Sequence, residues 1–87
     1  MSDVKLNTGS VLEITSAREG LRFGNLRDLD NGKEYWFEMY EDEKHPDGTK
    51  ISEEDIRMLA EGDLVVYELR YDDDAEVDMA FVLKLDK

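Results

Sequence analysis

Three groups of side chains in this sequence are of types that do chemistry. The densest is the acidic run Asp72, Asp73, Asp74, Glu76 and Asp78. A calcium loop takes six or more oxygens from a chain that wraps the ion, usually with a glycine at the sharp turn and a closing bidentate Glu. The run has no glycine, and on a strand Glu76 and Asp78 would point along one side. It reads as a solvated hairpin tip whose charges discourage edge pairing, with no metal expected. The second group is His45, the one histidine, which precedes Pro46 in a polar stretch. Catalysis there needs a partner held against the imidazole, and the sequence has no Cys nucleophile, no G-x-S-x-G and no metal-ligand spacing nearby. Exposed carboxylates are abundant, but acid–base work needs two of them whose environments push their pKa values apart in a pocket. No enzyme and no cofactor are expected. The third group is aromatic and basic, with Phe23 and Trp36 among Arg18, Arg22, Arg27 and Lys33.

The elements that position this third group follow from periodicity. Gly9 opens a first strand through Val11, Leu12, Glu13 and Ile14, ending in a polar turn around Ser16 to Gly20. Leu21 to Leu29 is the second strand, and Gly24 inside it suggests a bulge or bend of the kind a small barrel needs to close. Asp30-Asn31-Gly32 offers the positive φ positions of a tight hairpin turn. On the third strand, Lys33 to Tyr40, alternation puts Tyr35, Phe37 and Met39 on the core face and Glu34, Trp36, Glu38 and Tyr40 toward water. A register shifted by one residue would instead turn Trp36 inward.

After a polar loop with a Pro46-Asp47-Gly48 turn comes a helix over Ser52 to Ala60. Ser52 and Asp55 form a capping box, Ile51 and Ile56 a hydrophobic staple, Ile56, Leu59 and Ala60 share a face, and Gly62 supplies a left-handed stop. Asp63 to Tyr71 and Glu76 to Leu85 are the last strands, with Val77, Met79, Phe81, Leu83 and Leu85 at period two in the latter. Three strands, a helix and two strands is the order of an OB-fold barrel, whose second and third strands usually carry the ligand. The expectation is an all-β, five-stranded OB-like barrel with one short helix between strands 3 and 4, a single domain over residues 1–87.

At 87 residues the chain has room for one core. Its net charge of -12 repels phosphate and anionic lipid at long range and favours a soluble monomer. The acid is unevenly spread: residues 1–40 hold five basic and seven acidic side chains, the remainder six and sixteen. The sequence contains no cysteine, so a disulfide framework and a thiolate metal site are both excluded. The first apolar stretch is short and broken by Lys5, Asn7, Gly9 and Glu13, unlike a signal peptide or a membrane span. The expected location is the cytoplasm.

The motifs carry a resemblance. Gly9-Ser10-Val11, Gly20-Leu21-Arg22-Phe23-Gly24, Tyr35-Trp36-Phe37-Glu38-Met39, Leu59-Ala60-Glu61-Gly62-Asp63 and Ala80-Phe81-Val82-Leu83-Lys84-Leu85 occur in that order over nearly the whole chain. They resemble, respectively, the G-T-V, K-G-F-G-F-I, V-F-V-H-F, L-x-E-G-Q and A-x-N-V-x-x-L of the bacterial cold-shock domain, an OB-fold that binds single-stranded RNA and DNA. The resemblance implies base stacking on Phe23 and Trp36, with Leu21 in the place of a third aromatic. Glu13 stands where the family usually has an exposed Trp, Glu38 where it has His, and Met39 where it has Phe.

Two functions are therefore expected. The first is a single-stranded nucleic-acid binder, RNA above all, stacking bases on Phe23 and Trp36 beside Leu21 and Glu38, with Arg18, Arg22, Arg27 and Lys33 contacting phosphates. The alternative is an acidic protein-interaction module for a basic partner. Placement separates them: a basic, aromatic patch around Trp36 favours nucleic acid, and acid covering that face favours protein.

Overall fold

The computed structural model describes residues 6–41, 43, 48 and 50–86. Its elements in chain order are β1 (Asn7–Arg18), β2 (Leu21–Asp28), β3 (Glu34–Tyr40), α1 (Glu53–Met58), β4 (Leu64–Asp72) and β5 (Val77–Leu85). The strands close into a barrel in the order β1-β2-β3-β5-β4, with β1 pairing β4. The β3–β5 pair is parallel and the others are antiparallel. This is the five-stranded, OB-like barrel that the element order predicts.

Closure depends on β1, which runs four residues past Ile14 and leaves Glu19 and Gly20 as the turn. Its register against β2 shifts between Val11 and Glu13 and again between Ile14 and Ser16, so β1 carries two bulges that bend it around the barrel. The bend expected at Gly24 therefore belongs to the opposite strand. Gly24 itself is needed for close approach, because a Cβ there would lie 1.9 Å from the Glu13 carbonyl oxygen and 2.8 Å from Phe37 Cε2.

The β2–β3 turn is organised by a residue the sequence reading passed over. Asp28 is buried, and its Oδ1 accepts from the backbone N–H groups of Asp30 (2.8 Å) and Asn31 (3.1 Å). Gly32 takes φ +71°, as the turn requires. The hydroxyl of the fully buried Tyr67 donates to Asp28 Oδ2, tying the turn to β4. Burial, then the hydrogen bond and charge of Asp28, hold the Tyr67 phenol well above its ordinary range.

Alternation on β3 places Phe37 and Met39 in the core and Trp36 outside, as expected. On β5 the buried residues are Ala80, Val82 and Leu83, so the first members of the period-two apolar series, Val77, Met79 and Phe81, lie off the core face, while Leu85 packs against the core. Phe37, Met39 and Tyr67 already fill the interior opposite, where the small Ala80 and Val82 fit, and Phe81 lies outside. A register shift between Val66 and Tyr67 leaves Leu83 without a partner on β4, which explains two adjacent buried residues.

The helix carries its predicted cap: Asp55 N–H donates to Ser52 Oγ (3.1 Å) and Ser52 N–H to Asp55 Oδ2 (3.3 Å). The staple pair Ile51 and Ile56 is buried, as is Leu59. The helix ends at Met58, however, with Leu59 extended and Ala60 exposed. Gly62, at φ +89°, serves a separate turn in which Asp63 N–H donates to the Ala60 carbonyl (3.1 Å), and it does not terminate the helix. His45 and the Pro46-Asp47 part of the loop lie outside the described residues. No helix among those described is long and apolar enough to cross a membrane.

Candidate functional site

Strand register assembles the outward face of the barrel. Directly paired residues share a face, so Glu13, Asn25 and Trp36 form one row across β1, β2 and β3. Phe23, Glu38, Phe81 and Glu68 form the next across β2, β3, β5 and β4. Leu21 pairs with Tyr40 at one end of the β2–β3 ladder and Arg27 with Glu34 at the other. Trp36 is 52 % exposed and Tyr40 36 %. The Phe23 and Tyr40 rings meet edge to face, with centroids 6.4 Å apart.

Four aromatics thus share this face. Phe23 and Trp36 are the two expected from sequence, and Tyr40 was read as facing water. Phe81 was missed because it sits in an apolar series that suggests a core strand. The signal that could have found it is the opposite series, Ala80 and Val82, whose small side chains suit a crowded interior. Met39 belongs to the core and takes no part in the face.

Carboxylates interleave with these rings. Glu13, Glu34, Glu38 and Glu68 occupy positions between or beside the aromatics. Burial, then the charge and hydrogen bonding of Glu38, raise the pKa of Tyr40. The arginines of the face are committed to these acids. Arg27 pairs with Glu34 at 3.4 Å. Arg70 donates through Nε to Glu68 (2.6 Å) and through Nη2 to Glu43 (2.9 Å), and its guanidinium lies over the Phe81 ring, 4.3 Å from the centroid. Burial alone would lower the Arg70 pKa, but these two acids outweigh it and raise it.

The remaining predicted cations lie elsewhere. Arg22 alternates with Phe23 and so points away from it; its Nη1 donates to the carbonyls of Arg18 (2.7 Å) and Leu21 (2.8 Å). Arg18, Arg22 and Arg57 instead line a pocket of about 240 Å³ with Glu19 and Glu53, between the β1–β2 turn and α1. Lys33 sits in the β2–β3 turn, exposed. The structure therefore places Leu21, Phe23, Arg27, Trp36 and Glu38 on one face and leaves Arg18, Arg22 and Lys33 off it.

At the acidic tip, Asp72 Oδ1 accepts from the N–H groups of Asp74 (2.9 Å) and Ala75 (3.3 Å), closing the β4–β5 turn. Glu76 lies in that turn rather than on β5, with φ 56°. Among the described residues no three His, Cys, Asp or Glu side chains are grouped to hold a metal ion. No protein-family model, curated protein or solved structure matches the chain.

Proposed function

We propose that this barrel is a non-enzymatic interaction module whose β2–β3–β5 face receives a basic segment of another protein. One observation carries the reading: the exposed rings alternate with carboxylates, while Arg18 and Arg22, which would have met phosphates, stand apart with Arg57. A polyanion laid along Phe23, Trp36 and Phe81 would meet Glu13, Glu38 and Glu68. A cationic chain meets the same acids favourably and finds ring faces for its cations. The net charge of -12 speeds encounter with a basic partner.

A second reading rests on a different observation. Phe23, Trp36, Tyr40 and Phe81 form an aromatic surface where OB barrels usually bind, and the motifs resemble those of cold-shock domains. Stacking is worth about 1–3 kcal/mol per base. Trp36 is the one tryptophan, so its fluorescence reports on the face. At low salt, a short basic peptide should quench or shift it saturably, with the effect fading as salt is added, and single-stranded oligonucleotides should not. Quenching by the oligonucleotide and none by the peptide would establish the nucleic-acid reading instead.

A further inference from the structure

Of the arginines on the outward face, Arg70 is held in a way that describes a site. The Arg70 guanidinium carbon lies 4.3 Å from the Phe81 ring centroid, with Glu68 and Glu43 hydrogen-bonded to its nitrogens. A ring below, carboxylates at the edge and a planar cation between them satisfy a guanidinium on its face and at its N–H groups together.

The same parts recur one strand away, around Trp36. Trp36 is half exposed, and Glu34 and Glu38 flank it on its own strand and on the same face. At two residues' distance each lies about 7 Å along the strand, within reach of a side chain laid over the indole. Asn25 is its partner on β2, with Glu13 beyond. Trp is the strongest cation–π partner among the side chains. Arg70 over Phe81 is the cation–ring contact found among the described residues, and none of the described cations lies over the indole. The nearby Arg27 turns to Glu34, at 3.4 Å and with both side chains more than half exposed.

From this repetition we infer that the basic segment is read through an arginine, whose guanidinium lies over the Trp36 indole and hydrogen-bonds the flanking carboxylates, Glu38 foremost. The inference rests on the protein-interaction reading above and names what that reading recognises. Lysine fits the site less well. Its compact ammonium holds its water tightly and presents no plane to the ring, so it gains the charge attraction but not the stacked, forked geometry.

The test compares two labelled peptides of about eight residues, in which glycine alternates with arginine in one and with lysine in the other, by fluorescence anisotropy at low salt. The arginine peptide should bind about five- to tenfold more tightly. In Trp36→Ala the preference should disappear while residual charge-driven binding of both peptides persists; Trp36→Phe, which keeps a ring, should retain part of it. Trp36 lies outside the core, so truncation leaves the barrel's packing in place. Equal affinity of the two peptides for the wild-type protein would overturn the arginine assignment and leave the proposed function standing. A preference that survives Trp36→Ala would overturn its placement on the indole. Failure of both peptides to bind would remove the proposed function itself.

Discussion

Replacing Gly24 with alanine tests the barrel's closure at its tightest point. The added Cβ would sit 1.9 Å from the carbonyl oxygen of Glu13, where ordinary contact begins near 3.4 Å. Relief requires a separation of about 1.5 Å, roughly a third of the normal spacing between paired strands. The obstruction is backbone, so no side-chain rotation removes it, and Phe37 Cε2 at 2.8 Å blocks the way inward. Separating β1 from β2 there loosens the Glu13↔Asn25 and Ile14↔Gly24 pairs. Two weakened ladder hydrogen bonds at about 1 kcal/mol each, with about 1–3 kcal/mol of overpacking, give a loss of about 3–5 kcal/mol. A chain of this length has a total stability of about 4–13 kcal/mol, so the variant should melt far below the wild type or fail to fold. Urea titration followed by far-ultraviolet circular dichroism measures the difference. Gly32→Ala is the control, since its Cβ meets open space and its cost of about 1–2 kcal/mol is that of φ +71° alone. A Gly24→Ala loss below about 1 kcal/mol, or smaller than that of Gly32→Ala, would refute the close-approach argument.

Ser52→Ala removes the hydroxyl that accepts from Asp55 N–H and should cost about 1 kcal/mol, a fall in Tm of about 4–8 °C, with peptide binding unchanged. Tyr67→Phe strips a donor from the buried Asp28 carboxylate and should cost about 1–3 kcal/mol at neutral pH, measured by urea titration. The same variant should flatten the alkaline limb of stability. Unfolded chains release the Tyr67 proton near 10.0 and the folded barrel retains it, so wild-type stability falls as pH rises above that value by about 1.4 kcal/mol per unit from this group, and a wild-type-minus-variant difference independent of pH would contradict it. Glu13→Trp with Glu38→His should weaken the basic peptide and strengthen a single-stranded oligonucleotide; gel-shift and anisotropy titrations at matched salt read both, and an unchanged peptide affinity would show that these acids are not part of the recognition.

The parts of the fold legible from sequence are those in which one local rule acts alone. On β3, Trp36 shares its parity with Glu34 and Glu38, and that alternation against Phe37 and Met39 selects the faces the structure shows over the register that would turn Trp36 inward. Around α1, Ser52, Asp55 and the two isoleucines define the start, but Gly62 misled because a positive φ serves an isolated turn as readily as a helix end. On β5 two apolar series compete, and only the volume left by Phe37, Met39 and Tyr67 chooses Ala80 and Val82 for the interior. Asp28 likewise looked like one more acid at a strand end, because its partner Tyr67 is 39 residues away. The face followed the same division: Trp36 was readable from alternation and Phe23 from the motif resemblance, while Arg70 over Phe81, held by Glu43, joins groups no local pattern connects.

That division also bears on the sign of the ligand. Arg22 and Phe23 are adjacent in sequence and look like one nucleic-acid patch, but neighbours on a strand face opposite ways, so a basic residue helps an aromatic platform only at a spacing of two or across a strand pair. Those positions around Trp36 hold Glu34, Glu38 and Asn25, with Glu13 beyond Asn25. Around Phe23 they hold Leu21, Asn25 and Glu38. Two arginines that reach the face, Arg27 and Arg70, are already paired with Glu34, Glu68 and Glu43. An aromatic surface surrounded in this way retains its attraction for flat groups while its electrostatic preference turns toward cations, and a guanidinium is both flat and cationic.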